Sequence, residues 1–292
     1  MTVTTRLHHD DPALLIQAIE FTASETGFNP RLIEKDYLCT VVLEYLGANA
    51  PGLIFKGGTC LSKVYGDLYR LSEDLDFSIS MTVNSTRTER SRRARKFKQA
   101  IVRLPDHVAG VRMLEAVHGA NNSTQYNARL GYESLIDGHI EGLSIEIGLR
   151  EPAVRATHVG SARTVLLNPV TGKPAVDPPR VECLSHDEAM AEKLRAAMCR
   201  RDVAIRDYFD VDHAVSAGRF DPLERSFLML LRRKLEVPMT SPVDVSDDRT
   251  KALQRQLQTQ LRAVLRQQDF VGFDLDRAVA TVRGVAEAVA DP

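Results

Sequence analysis

The sequence predicts an α/β protein in which a small mixed sheet is followed by a helical C-terminal part. Three observations predict it. Leu53-Ile54-Phe55 is a short apolar strand that runs into Gly57-Gly58 and then a helix over 60–69. Residues 74–79 alternate in period two, with Leu75, Phe77 and Ile79 on one face and Asp74, Asp76 and Ser78 on the other. From Ser185 onward, apolar residues recur at helical spacing almost without a break.

The elements follow in order. Ala13-Leu14-Leu15, Ala18-Ile19 and Thr22 form one helical stripe, and Asn29-Pro30 opens a second helix carrying Ile33, Tyr37, Val41-Val42 and Leu46. These N-terminal helices (1–48) are expected to pack on an α/β core (49–180), with a helical C-terminal domain over 181–292. Inside the core, a helix over 87–104 follows the alternating strand, and three strands are expected over 111–117, 125–134 and 142–149. Residues 151–180 are rich in Pro and Gly and read as a connecting excursion with a hairpin around Thr171-Gly172. Ser185 with Glu188 reads as a capping box that starts the helix carrying Lys193.

Composition narrows the class. Apolar residues make up 43% and charged residues 26%, as in an ordinary globular protein, and the formal charge is −1. A polycation built for nonspecific nucleic-acid binding is excluded, so any such site must be a local patch. Cys39, Cys60, Cys183 and Cys199 lack Cys-x-x-Cys spacing and read as reduced, mostly buried thiols. No apolar run reaches membrane-spanning length and the N-terminus lacks a signal-peptide pattern, so a cytoplasmic location is expected. No helix-turn-helix stands out.

The chemistry concentrates between residues 55 and 77. Glycines at a strand-to-helix turn let backbone approach a phosphate, and a helix start offers free N–H groups. Gly57, Gly58 and Thr59 are therefore candidate triphosphate contacts, with the Thr59 hydroxyl as a side-chain donor. Lys56 reads equally as a phosphate contact or a surface lysine, and Lys63 as solvated. Asp74 and Asp76, at i and i+2 on one strand face, can share Mg²⁺. Ser72 can hydrogen-bond the preceding turn and fix Asp74. A third carboxylate is expected from Glu146, alone among Leu143, Ile145, Ile147 and Leu149; a solvated outward Glu is the alternative. Three carboxylates suit two-metal chemistry, with Glu146 or the Asp pair as base. The basic run Arg87, Arg90, Arg92, Arg93, Arg95, Lys96 and Lys98 follows the Asp strand and is expected near the mouth of the site, where it could meet RNA phosphates. Only Phe97 offers an aromatic ring there.

In this order the residues resemble the first motif of the polymerase-β-like nucleotidyltransferase superfamily, with a slightly long spacer that suits the AbiEii/AbiGii-type nucleotidyltransferase toxins. Four elements carry that resemblance: Ile33-Glu34-Lys35-Asp36-Tyr37, the block from Phe55-Lys56-Gly57-Gly58-Thr59 through Arg70-Leu71-Ser72-Glu73-Asp74-Leu75-Asp76-Phe77, Glu192-Lys193-Leu194-Arg195-Ala196, and Arg206-Asp207-Tyr208-Phe209-Asp210. The resemblance implies a polymerase-β-like nucleotidyltransferase core plus a C-terminal helical domain, with the nucleotide between them. It implies transfer of NMP from NTP, with Mg²⁺, to an RNA acceptor such as the tRNA 3′ end, and a cognate antitoxin as partner. Lys193 would reach the nucleotide phosphates, oriented by Asp207 or Asp210; a helix–helix salt bridge among Lys193, Arg206 and the aspartates is the alternative. Glu34-Lys35-Asp36 gains no role beyond helix docking. Two rivals stay open: a nucleotidyltransferase acting on a small molecule or protein, and a catalytically inactive nucleotide-binding protein.

Overall fold

The computed structural model describes residues 11–291; the first ten residues, part of the expected N-terminal segment and of the signal-peptide reading, lie outside the described residues. The chain divides into two units, one of Met1–Pro152 with Thr157–Leu184, the other of Ala153–Ala156 with Ser185–Pro292.

The first unit begins with helices α1 (Pro12–Thr26) and α2 (Pro30–Asn49). Asp11 and Asn29 cap them by accepting backbone N–H groups, and each helix has proline in its first turn, where no N–H is needed. Seven strands then build one mixed sheet: β1 (Ile54–Lys56), β2 (Asp74–Ser78), β3 (Val111–Ala120), β4 (Gln125–Glu133), β5 (Ile140–Gly148), β6 (His158–Ser161) and β7 (Arg180–Cys183), in the order β3-β4-β5-β2-β1-β7-β6. β2 runs parallel to β5 and β1 parallel to β7; the other pairs are antiparallel. The expected mixed sheet and the three strands after the first long core helix are present. The excursion before residue 180 differs from expectation. Its hairpin around Thr171-Gly172 forms, closed by the Leu167–Pro174 bridge, but the flanks also supply β6 and β7. A four-residue strand such as β6, exposed at three of its positions, leaves little apolar signal to read.

The helix expected over 60–69 starts earlier and stops sooner. It begins as α3 (Gly57–Cys60), continues through a wide π turn (Leu61–Tyr65) and ends at Gly66, where any Cβ would meet the Tyr69 ring at 2.5 Å. Lys63 lies in that turn and is buried rather than solvated. Its ammonium sits 2.6 Å from Asp36 Oδ1 and donates to Thr40 Oγ1 (2.8 Å), Asp36 O and Arg163 O (3.1 Å each). Asp36 Oδ2 in turn accepts from Thr164 Oγ1 (2.9 Å) and the Val165 N–H (3.0 Å). The neighbouring motif residues work in the same way. Glu34 accepts from Ser134 Oγ (2.6 Å) and the Leu135 N–H (2.7 Å), while burial pushes its carboxyl pKa up. Lys35 pairs with Glu73 at 3.1 Å, one residue before β2. The Glu34-Lys35-Asp36 turn of α2 therefore anchors three separate loops.

Helix α4 (Arg87–His107) starts with a complete capping box between Thr86 and Glu89. Ala94, Phe97, Ile101 and Leu104 on it are buried in the core with Leu75 and Phe77.

In the second unit, α5 (His186–Cys199), α6 (Ile205–Ser216), α7 (Arg225–Leu235), α8 (Asp247–Gln256), α9 (Gln267–Gly272) and α10 (Leu275–Ala290) form a helical assembly. Ser185 caps α5 by accepting the Glu188 N–H (3.3 Å), but the reciprocal half of the expected box is absent. Glu188 is fully buried and accepts from the Val154 and Arg155 N–H groups, with Lys234 Nζ 2.6 Å away. Arg277 grips Asp212 with two bonds of 2.7 Å, joining α10 to α6.

Breaking a buried ion pair from one side leaves a charge without its partner, typically a loss of about 3–5 kcal/mol. Lys63→Met should therefore lower unfolding free energy by roughly that amount in urea titrations. The Asp36→Asn/Lys63→Met double variant should lose less than the two single losses added together.

Candidate active site

Strand register assembles the site. Asp76 on β2 stands opposite Lys56 of β1 on one side and Glu146 of β5 on the other, and Glu146 stands opposite Asn127 of β4. Four strands, each about 4.8 Å from the next, thus present Lys56, Asp76, Glu146 and Asn127 as one row. A second row holds Asp74, Ser144 and Arg129. The intervening residues Phe55, Leu75, Phe77, Ile145, Ile147 and Tyr126 are buried on the opposite face. Period-two alternation on each strand separates a polar face from the core.

Gly57 closes the row at β1. Its φ of +75° is a left-handed conformation, and a Cβ there would fall 2.2 Å from Asp76 Oδ2. Only glycine lets the turn and the carboxylate occupy adjacent space. Thr59 is buried, and its hydroxyl donates to the Asp74 carbonyl oxygen at 2.5 Å instead of standing ready for a phosphate. The side chain thereby ties the turn to β2 and leaves backbone N–H groups as the donors for an anion. Gly58 is buried beside it, Arg70 is buried before β2, and Ser72 is half-buried in the approach to β2.

Asp74 and Glu146 make no ion pair or side-chain hydrogen bond among the described residues. No group of three or more His, Cys, Asp or Glu side chains converges on one point among the described residues. Asp76 and Glu146 face each other in register, with Asp74 two residues along. Carboxylates sharing one polar face, beside a glycine cradle that a Cβ would fill, suit a hard divalent cation bound together with phosphate oxygens.

The basic run lies elsewhere than expected. Lys98 Nζ stands 4.7 Å over the Tyr126 ring, and Tyr126 points to the face opposite Asn127. Since α4 buries its apolar stripe against that face, it packs on the reverse of the sheet from the carboxylates. Arg90 is buried, donating to the Ser85 and Asn122 carbonyl oxygens. Arg92, Arg93, Arg95 and Lys96 stay exposed and line an open groove of about 690 Å³ with Ser80 and Thr82.

In the second unit, Lys193 Nζ lies 2.7 Å from Asp207 Oδ1 and 3.0 Å from Asp210 Oδ2. Both aspartates hold it, so neither is singled out. Arg200, rather than Arg206, is the second cation, 3.2 Å from Asp207 Oδ2. All four cysteines are free and buried, and burial pushes the Cys39 thiol up to about 12.

A family profile for the nucleotidyl transferase AbiEii toxin of type IV toxin–antitoxin systems matches residues 42–283. The chain belongs to the AbiEii nucleotidyltransferase toxin family. Five solved chains also match. One is JHP933 from Helicobacter pylori, at 18% identity and a TM-score of 0.51, covering 90% of this chain and 93% of that one. Another is a candidate nucleotidyltransferase from H. pylori, at 16% identity and a TM-score of 0.52, covering 90% and 96%. No curated protein sequence matches. At such identities the likeness establishes the fold, and the family match establishes an AbiEii-type nucleotidyltransferase.

The sequence reading missed Asn127 and Arg129. Their signal was present, since they alternate with buried Tyr126, Ala128 and Leu130, but only register shows that they share the AbiEii carboxylate face.

Gly57→Ala should cut nucleotidyl transfer by about 100-fold or more, because a displaced Asp76 misaligns the reacting groups. Gly52→Ala, also at positive φ but with open space around its Cβ, controls for backbone strain alone in a pyrophosphate-release assay.

Proposed function

We propose that this AbiEii-family enzyme is a Mg²⁺-dependent toxin that transfers NMP from an NTP to an RNA hydroxyl, with the tRNA 3′ end as acceptor. The observation that carries the reading is the row of Asp76 and Glu146 beside Gly57, with Asp74 on the same face. The backbone N–H groups of Gly57, Gly58 and Thr59 bind the triphosphate, with Lys56 at the same end of the row. Asp74, Asp76 and Glu146 hold Mg²⁺, which when bound neutralises the triphosphate and lowers the pKa of the attacking hydroxyl. The acceptor oxygen forms a bond to the α-phosphorus as the bond to pyrophosphate breaks, and the hydroxyl proton passes to Glu146. Ser72 positions the approach to Asp74. Lys193, fixed by Asp207 and Asp210, is assigned to the nucleotide phosphates.

A long polyanionic acceptor accords with the groove beside Arg92, Arg93, Arg95 and Lys96. That groove lies on the reverse of the sheet, so a small acceptor at the carboxylates has no use for it, whereas an RNA can span both. The toxin–antitoxin setting of the family supplies the remaining parts: a cognate antitoxin as partner, and the cytoplasm, where NTP and tRNA reside, as the place of action.

Incubation with total tRNA, Mg²⁺ and each α-³²P-labelled NTP in turn tests this reading. Label should enter tRNA with a preferred NTP, fall by at least about 100-fold in Asp76→Ala, and vanish with a chelator. Label on a protein or small molecule from a cell extract, with none on tRNA, would transfer the reading to a different acceptor.

The same assay measures the groove. Reversing Arg92 and Arg93 to Glu should weaken tRNA use and flatten its salt dependence, while leaving the KM for NTP near the wild-type value.

A further inference from the structure

The polar face of the sheet continues past the carboxylates, and its direction says which substrate lies there. Phosphoryl transfer places the attacking and leaving oxygens roughly in line. On the reading proposed above, the phosphates that leave are held at Gly57–Thr59, which lies at the β1 end of the row. The entering hydroxyl must therefore approach from the other end, over β5 and β4, where Glu146 and Asn127 stand.

Three features of that end suit a nucleotide. Asn127 is half-buried and already oriented: Asn121 Nδ2 donates to Gln125 Oε1 at 3.0 Å, and Gln125 Nε2 donates to Asn127 Oδ1 at 3.1 Å. The chain of amides leaves the other end of the Asn127 amide to meet a ligand beside Glu146. Arg129 lies one position further along β4 on the same face, and a Cβ on Gly142 would fall 2.5 Å from its Nε. Gly142 thus leaves bare backbone under the guanidinium. The neighbour of Arg129, Glu115, stands 3.6 Å away with both side chains half exposed, a contact weak enough to yield to a phosphate.

We propose that Asn127 and Arg129 form the acceptor subsite, in which Asn127 positions the nucleotide bearing the attacking hydroxyl and Arg129 binds a phosphate of the same strand. The inference rests on the RNA-acceptor reading above and adds to it the residues that select the acceptor. Neither residue exchanges a proton or bonds to the reacting phosphorus; both are positioning residues.

The test is steady-state labelling of tRNA, with KM measured separately for tRNA and for NTP. Arg129→Ala should raise the KM for tRNA by about 10-fold or more, the loss expected for a charge-assisted contact, and leave the KM for NTP within about twofold. Arg129→Lys should recover part of that loss. Asn127→Ala should lower kcat while the KM for NTP holds. Both positions are solvent-accessible, so melting curves should match the wild type. A rise in the KM for NTP with that for tRNA unchanged would overturn the proposal and assign this face to the donor base. Unchanged kinetics in both variants of an enzyme that labels tRNA would overturn the subsite alone. A wild type that labels no RNA would sink the RNA reading and the subsite together.

Discussion

The buried pair between Asp36 and Lys63 is the constraint on which the first unit depends. Lys63 belongs to the wide turn that continues α3, and every donor of its ammonium is taken up by α2 or by the segment at Arg163. Asp36 answers with its second oxygen on Thr164 and Val165. A pair enclosed in this way is weak evidence for net stability, since desolvation offsets much of its attraction. Its effect is on position. The Gly57–Thr59 turn cannot shift without pulling a charge out of its only low-energy surroundings, and Lys35 adds a bond to Glu73 on the approach to Asp74.

From that fixed turn the chemistry follows by register. Gly57 and Asp76 approach too closely for any side chain to separate them. Asp76 then sets Glu146 across the parallel β2–β5 pair, and Glu146 sets Asn127 across the antiparallel β4–β5 pair. The glycine turn at one end and the amide and guanidinium at the other give the row a direction, with the carboxylates between. The apolar half of the same alternation holds α4 on the reverse face. One period-two pattern thus separates the carboxylate face of this AbiEii enzyme from its basic groove.

Much of this was legible in the sequence, and the failures share a cause. The strand–glycine–helix–strand order, the Asp74/Asp76 alternation and the helical C-terminal part are local patterns, and the structure has them. Lys63 was read as solvated because lysine one turn into a helix usually is; its partner is 27 residues away in sequence. The basic run was placed near the site because it follows β2, yet the stripe of Ala94, Phe97 and Ile101 carries the helix to the opposite face. Thr59 was read as a phosphate donor and Glu188 as half of a capping box, and each side chain is engaged by a distant segment. Local periodicity is written in the sequence, whereas long-range partners of buried polar groups are not.

The central claim is that Asp74, Asp76 and Glu146 together hold a divalent cation with the triphosphate bound at Gly57–Thr59. The most direct measurement is Mn²⁺ binding by electron paramagnetic resonance, with a non-hydrolysable NTP analogue, in the wild type and in the Asp74→Asn/Asp76→Asn variant. The account predicts that nucleotide-dependent Mn²⁺ binding in the wild type is lost in the variant while its melting temperature is kept. Mn²⁺ bound equally well by both proteins would contradict it.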